Sequence, residues 1–520
     1  MIILYVSTDI EKESKNLKNE IHLSTNMKYI GISAGFHDAA VSVVGNGRVL
    51  FAAHSERYTG VKQDERIPVD IIEEALAYVG SDDYEVHYYE RPWLKFLRQL
   101  YAGERPSLSS LSPKSYLSSG ALSLLKGKKF HTHSHHLSHA AAGFQTSKFT
   151  EATVVVIDAI GEFDTVTIWE ARYNNNNQAV YKKLYSKKYP NSIGLYYSAL
   201  TQRVGLKPNE EEYITMGMAA YGDNSYYSEL EANVVDDLKE LRFKDNLHIG
   251  LPEDFMKNAT NEQLAHSGQV LLEHLVDAVM LRAKKLGQSN NLVFGGGVAL
   301  NCLANRLVGK YFNNIWIMPN PGDAGSSLGA ALLGCKDQVE FSTAYLGTNI
   351  EGDYPVQGLL DVLLSDKIVG VASGRAEFGP RALGNRSLLA DPRGKEIKDK
   401  VNDIKRRQKF RPFAPVILEE HVHNYFMMPL NWHNSRYMQV VAKCKNPERF
   451  PAIVHADGTS RVQTVPKDGS GIRRLLEEWY KKTGCPMLLN TSLNIRGEPM
   501  VNTRADADRF ELTYNVKVLS

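Results

Sequence analysis

One pattern constrains the fold of this chain more than any other: an apolar strand, a polar turn and a second apolar strand, used twice. In the first copy, strands at 28–34 and 39–44 flank the turn SAGFHD, after Met27. The second copy is ATVVVIDAIGEFDTVTIWEARY at 152–173. Runs of β-branched residues broken by Gly and Asp read as hairpins, and their recurrence reads as one structural unit repeated. Turns of this composition expose backbone N–H groups that suit phosphate oxygens.

Two glycine-rich strand-to-helix elements follow. NLVFGGGVALNCLANRLV at 291–308 runs an apolar strand into Gly295, Gly296 and Gly297, and then into a helix. IWIMPNPGDAGSSLGAALLG at 315–334 repeats the plan with a Pro-Gly-Asp turn. Glycines admit close backbone approach, and a helix N-terminus favours negative charge. Neither element has P-loop spacing, and no GxGxxG follows the first strand, which excludes the usual dinucleotide fingerprint.

At 520 residues the chain is long enough for several domains. Residues 1–26 mix charge with Asn and Ser and read as an extension. A turn-rich stretch at 340–366 separates an α/β domain over 27–345 from an α+β domain over 366–520. No apolar run is long enough to span a membrane, and no secretory signal is evident. Four cysteines, Cys302, Cys335, Cys444 and Cys485, lie far apart without a CxxC, which points to a reducing cytoplasm. With 61 basic and 59 acidic residues, overall charge selects no partner. Oligomeric state is open, a homodimer included.

The sharpest chemical feature is HTHSHHLSHAAAGF at 131–144. His135 and His139 are one helical turn apart on one face, a spacing that lets two imidazoles share a divalent ion. A carboxylate must complete such a site. Asp323, in PGDAGSS, is the first candidate and Asp158, in VVVIDAIGE, the second.

HHLSHA, VVVIDAIGE, EEYITMGMAAYG, FGGGVALN, GDAGSSLGAA, GRAEFGPRALGNRS, FRPFAPVI, HADGTSRVQTV and LLNTSLNIRGEPMV occur in this order. With them the chain closely resembles the O-carbamoyltransferases of nodulation-factor, cephamycin and aminoglycoside carbamoylation. The first domain also resembles the tRNA threonylcarbamoyl-transfer proteins. The resemblance implies an actin-like ATPase domain, a duplicated RNase H-like fold, fused to an α+β YrdC-like domain. It implies a reaction in which carbamoyl phosphate and ATP form carbamoyl-adenylate, whose carbamoyl group passes to an acceptor hydroxyl. It also implies a metal, iron first and Mg or Zn as alternatives, on His135, His139 and Asp323.

In that frame Gly295, Gly296, Gly297 and Asn301 face the nucleotide, and Glu162 sits where the second turn meets phosphate or metal. His37, Asp38 and Asp158 are the candidate bases for the acceptor proton. The second domain must hold a small dianion, and Arg is the natural fork for its oxygens. The candidates are Arg375, Arg381, Arg386, Lys405, Arg411, His455, Asp457, Arg461, Asn490, Ser492, Asn494 and Arg496. Arg406 and Arg407 read as a solvated face. Two positions depart from the family pattern: Ala159 follows Asp158 where Gly is usual, and Ile214 follows Glu212-Tyr213 where Lys is common.

The acceptor is sought in the least family-like stretch. Residues 91–130 carry eight Lys/Arg against one acid, interleaved with Trp93, Phe96, Tyr101, Tyr116 and Phe130. Residues 393–411 carry nine against three. Such tracks suit nucleic acid, so a hydroxymethyl pyrimidine in DNA or a nucleotide ranks first as acceptor. A sugar or secondary-metabolite hydroxyl comes second. A non-catalytic nucleotide binder would be expected to lose the histidine or arginine motifs, and both are intact.

Overall fold

The computed structural model describes residues 27–520, so the expected extension at 1–26 lies outside the described residues. Strands β1 (Lys28–Ser33), β2 (Ala40–Gly45), β3 (Arg48–His54), β4 (Tyr84–Tyr88) and β5 (Phe130–Thr132) form a sheet in the order β3-β2-β1-β4-β5. β1 pairs antiparallel with β2 and parallel with β4. A second sheet contains β6 (Glu151–Gly161), β7 (Asp164–Tyr173), β8 (Ala179–Lys188), β9 (Asn291–Gly295) and β10 (Asn314–Trp316), in the order β10-β9-β6-β7-β8. β6 pairs antiparallel with β7 and parallel with β9. Counted from its own first strand, each sheet reads 3-2-1-4-5. This is the duplicated RNase H-like unit of an actin-like fold, and the repeated hairpins are the first two strands of each copy.

The β-branched residues of the hairpins make the cores. Ile30, Ile32, Val41 and Val43 are buried in one, and Val155, Ile157 and Ile168 in the other. Each such side chain contributes roughly 1.5–3 kcal/mol on burial. The helices that place the site are α1 (Pro92–Tyr101), α2 (His135–Thr146), α3 (Ile193–Arg203), α4 (Asn261–Leu286) and α5 (Ser326–Cys335). α2 packs on β6 and β9, α5 packs on β1, and the two helices cross between the sheets. The crossing needs small residues: a Cβ on Gly329 would stand 1.8 Å from the Ser138 carbonyl oxygen. Among the described residues no helix is long and apolar enough to cross a membrane.

After helix Val356–Ser365 the chain builds a six-stranded mixed sheet. Its centre is Met487–Ser492, antiparallel to both Ala414–Leu418 and Arg386–Ala390. Trp479 is fully buried in the core on one side of the sheet, and Phe426 and Phe450 in a separate core cluster. This α+β unit closes on the first half through named contacts. Tyr221 Oη donates to the Phe410 carbonyl at 2.9 Å, and Arg496 pairs with Glu211 at 2.7 Å.

Candidate functional site

The two histidines of HxxxH open α2, and the fold delivers two carboxylates to them. Asp158 comes from the end of β6, where the register with β7 shifts after Ile157. Asp323 begins the single turn that leads into α5. His135 Nε2 lies 3.1 Å from Asp158 Oδ2 and 3.3 Å from Asp323 Oδ1. His139 Nε2 lies 3.5 and 3.3 Å from the same two oxygens. All four ligand atoms fall within 4.8 Å of one another, and all four residues are buried.

Electrostatics follow from that packing. Burial alone would pull the His135 and His139 imidazoles down, but Asp323 and Asp158 outweigh it and hold both above the ordinary histidine value. Against the burial penalty, the imidazoles in turn hold Asp158 well below the carboxylate range. Two imidazoles and two carboxylates are the donor set of a first-row divalent transition metal, whereas Mg²⁺ takes carboxylate, phosphate and water oxygens.

A cavity of about 490 Å³ lies between the two halves, and Asp158 and Asp323 are on its wall. His37 and Asp38, in the first turn, line it too and bond each other at 3.1 Å. Burial lowers the His37 imidazole, but the hydrogen bond and charge of Asp38 push it up to about 9. The opposite wall carries Arg381, Arg407, Arg411 and Arg461. None of these four forms an ion pair with a carboxylate among the described residues. Burial first, then the neighbouring Arg461, brings Arg381 down to about 9, and burial with Arg411 brings Arg407 to about 8. Both ring nitrogens of His455, Arg461 Nε and Asn490 Oδ1 are buried without a hydrogen-bond partner, and all three residues line the cavity. A wall of uncompensated guanidinium groups and orphaned polar atoms calls for a polar anion.

Several expected ligand contacts are structural instead. Arg386 is fully buried and donates to the carbonyls of Ser373, Gly374, Asn385, Thr348 and Asn502. Arg375 donates to the carbonyls of Leu50, Leu346 and Gly347 and stacks on Tyr78. Neither lines the cavity; both tie loops together. Glu162 is taken by Arg91, through its backbone N–H at 2.8 Å and its guanidinium at 2.7 Å. Of the three glycines only Gly297 lines the cavity, and its N–H donates to Asp158 Oδ1 at 3.0 Å. Gly296 has φ +86°, and a Cβ there would stand 2.2 Å from the Ile157 carbonyl. Gly295 abuts the His139 backbone. Those two serve packing, not ligand approach.

Other expected residues sit at the cavity wall with their groups partly engaged. Asn301 exchanges hydrogen bonds with Gln269 and accepts from the Ala304 N–H. Lys405 Nζ donates to the carbonyl and side-chain oxygens of Asn494 and to Ser492. Burial, then Arg407 and Arg411, holds its ammonium well below the lysine range. Asp457 caps the Thr459 N–H at 2.9 Å. Arg496 reaches Glu211, and Arg411 stacks on Tyr213.

Three of the eight cations in the basic stretch 91–130 are committed to carboxylates. Arg91 is paired with Glu162, Lys95 with Glu90 at 2.8 Å, and Arg98 with Glu104 at 2.6 Å. Lys128 lies over the Tyr84 ring and donates to its carbonyl. None of the eight cations lines the cavity. Residues that sequence reasoning missed include Glu90, Lys62 and Arg407. Lys62 lines the cavity and is held by both oxygens of Glu56 at 2.8 Å. Ile214, where a lysine was expected, also lines the cavity and is buried.

Comparison with known proteins agrees with this two-part layout. The family description "Carbamoyltransferase N-terminus" matches residues 113–332, and "Carbamoyltransferase C-terminus" matches residues 360–520. The chain is 33% identical to the uncharacterized protein sll1178 of Synechocystis sp., over 92% of this chain and 93% of that one. It is 30% identical to Nodulation protein NolNO of Sinorhizobium fredii, over 92% of this chain and 77% of that one. It is 28% identical to Nodulation protein U of Bradyrhizobium diazoefficiens, over 89% and 91%. With both halves matched in order along most of its length, the chain belongs to the carbamoyltransferase family and is a carbamoyl-transferring enzyme.

Proposed function

We propose that this enzyme is an O-carbamoyltransferase that uses carbamoyl phosphate and ATP. The observation that carries the reading is one cavity whose wall includes Asp158 and Asp323 of the histidine–aspartate cluster together with Arg381, Arg407, Arg411 and Arg461. Water would cleave carbamoyl phosphate to carbamate and phosphate, and a carbamate oxygen would then attack the α-phosphorus of ATP, forming the carbamoyl-adenylate as the bond to pyrophosphate breaks. The acceptor oxygen would then form a bond to the carbamoyl carbon as AMP departs. Both halves of this sequence handle anions, and both are served by the same wall.

Arg381 and Arg461 are suited to hold the phosphate and carbamate oxygens, with Asn490 and His455 reading the remaining polar edge. His135, His139, Asp158 and Asp323 would hold a divalent metal, which supplies Lewis-acid polarisation of a ligand oxygen. His37, protonated at neutral pH beside Asp38, is suited to donate to a phosphate oxygen. Asp158 has both oxygens engaged, so of the three candidate bases Asp38 is best placed to take the acceptor proton as its hydroxyl becomes acidic.

The acceptor we favour is the hydroxyl of a sugar or secondary metabolite. Carboxylates offset three of the eight positive charges that favoured DNA, none of the eight lines the cavity, and the relatives include nodulation proteins. The test is release of AMP, pyrophosphate and phosphate from ATP and carbamoyl phosphate. It is followed by mass spectrometry of a panel of sugars, antibiotics and hydroxymethylcytosine DNA for a carbamoyl mass increment. Absence of carbamoyl-phosphate-dependent AMP formation would overturn the reaction. An increment on DNA alone would overturn the acceptor.

A further inference from the structure

The cluster is backed by a buried ion pair that the reaction outlined above does not use. Glu90 lies two residues beyond the end of β4, and Lys95 lies in the first half of α1. Their side chains are 3% and 10% exposed. Lys95 Nζ donates to Glu90 Oε1 at 2.8 Å and to the Gly35 carbonyl at 2.9 Å. The other carboxylate oxygen, Glu90 Oε2, stands 3.5 Å from His135 Nδ1. That nitrogen is buried without a hydrogen bond of good geometry among the described residues, and Glu90 Oε2 is the carboxylate oxygen that faces it. Tyr89 closes the ring's side, with centroids 5.0 Å apart.

Imidazole has two nitrogens and, when neutral, one proton. A metal needs the lone pair on Nε2, so the proton must stay on Nδ1, and an acceptor at Nδ1 is what keeps it there. A buried carboxylate is costly unless paired, and Lys95 pairs it. Gly35 belongs to the turn that carries His37 and Asp38, so the same lysine ties that turn to the cluster.

We propose that Glu90, held in place by Lys95, is a positioning residue that fixes the tautomer and orientation of His135 toward the four-residue cluster. The inference rests on the metal reading of that cluster. It also explains why Lys95, one of the apparent basic track, points inward.

The test uses the full chain, stripped with chelator and titrated with Co²⁺. Visible absorption, metal content after dialysis and melting temperature are recorded. The unsubstituted chain is expected to take up one Co²⁺ that His135→Ala abolishes. Glu90→Gln, whose amide can offer an N–H to Nδ1 and favour the wrong tautomer, is expected to weaken Co²⁺ binding about 10–100-fold and to shift the absorption band. Glu90→Asp should fall between the two, and Lys95→Met should weaken binding in the same direction. The inference is overturned if Glu90→Gln and Glu90→Asp both bind Co²⁺ with unchanged affinity and spectrum. A lower melting temperature alone would mean a merely structural pair and would also overturn it. Should Glu90→Gln fail to fold, Glu90→Asp decides. If Co²⁺ binding survives His135→Ala, the metal reading itself fails and takes this inference with it, an outcome distinct from the others.

Discussion

His135 and His139 turn their Nε2 atoms to within 3.1 Å of each other, and both atoms face Asp158 Oδ2 and Asp323 Oδ1. Two imidazole nitrogens this close repel unless a proton or a cation lies between them. The helix supplies the i,i+4 spacing, and the end of β6 and the turn before α5 supply the opposing charge. His139→Ala is therefore expected to lower metal content in the purified protein from about one ion per chain to near none, read by plasma mass spectrometry. Circular dichroism should be unchanged, because α2 accepts alanine readily. Retention of a full metal complement in that variant would rule out the site.

The arginines of the second half divide into two kinds, and substitution should separate them. Arg461 lines the cavity with its Nε unpartnered. Arg461→Ala should lower kcat/KM for carbamoyl-phosphate-dependent AMP formation about 10²-fold or more, the effect of removing one preorganised donor to developing charge. Arg386 instead braces five carbonyls in the interior. Arg386→Met should cost about 1–3 kcal/mol for each acceptor left unsatisfied and appear as a lower melting temperature. Denaturation curves and initial rates on both variants check the division. Equal effects on both readouts would argue against it.

How much of this was legible in the sequence depended on whether a residue's direction follows from its spacing. His135 and His139 were legible because helical spacing fixes a shared face. The two hairpins were legible because strand alternation and turn residues repeat. Arg386 and Arg381 lie five residues apart in one motif, yet one is an interior brace and the other faces the cavity. Composition is the same for both, and only the path of the strand and its preceding turn tells them apart. Arg407 read as solvated but stacks on Phe413 and lines the cavity. Glu90 is a single acid after an apolar strand, with no spacing to mark it. The positive count over 91–130 overstated the free charge for a related reason: the partners Glu90 and Glu162 lie outside that window, so the window could not show that Lys95 and Arg91 are neutralised.

The His37–Asp38 pair gives stability a pH dependence. His37 is pushed up to about 9 from 6.5, so the folded state binds its proton more tightly than the unfolded chain does. That contribution is fully present below about pH 6.5 and is lost as pH rises through 9. The melting temperature of the native chain should therefore exceed that of His37→Gln at pH 6, and the gap should close between pH 7 and 10. Thermal melts in matched ionic strength measure it. A gap that widens with rising pH would mean that His37 is held neutral.

Charge reversal at the surface should leave the chemistry alone. Lys126 and Lys129 are exposed and do not line the cavity. The double change Lys126→Glu, Lys129→Glu should leave the rate of carbamoyl-phosphate-dependent AMP formation within about twofold, since exposed charges beyond a Debye length of roughly 8 Å are largely screened at physiological salt. A steep loss of transfer in this variant, together with transfer by the unsubstituted chain that falls steeply as salt rises, would return weight to an anionic macromolecule as the partner.

Gly296 offers the last test, because its role is steric rather than chemical. Its φ of +86° is unfavourable for any side chain, and a Cβ would stand 2.2 Å from the Ile157 carbonyl oxygen. Ile157 immediately precedes Asp158, so the backbone that must yield is the one that delivers a carboxylate to the histidines. Gly296→Ala should therefore destabilise the fold by about 1–3 kcal/mol from the strained conformation, with more from the clash. It should also lower metal affinity by displacing Asp158, whereas Gly295→Ala, where a Cβ would meet only ordinary contacts at 3.6 Å and beyond, should be milder on both counts. Urea denaturation and metal titration of the two variants together decide this. If Gly296→Ala loses nucleotide binding while stability and metal affinity stay intact, the glycine faces the ligand after all, and the packing role is wrong.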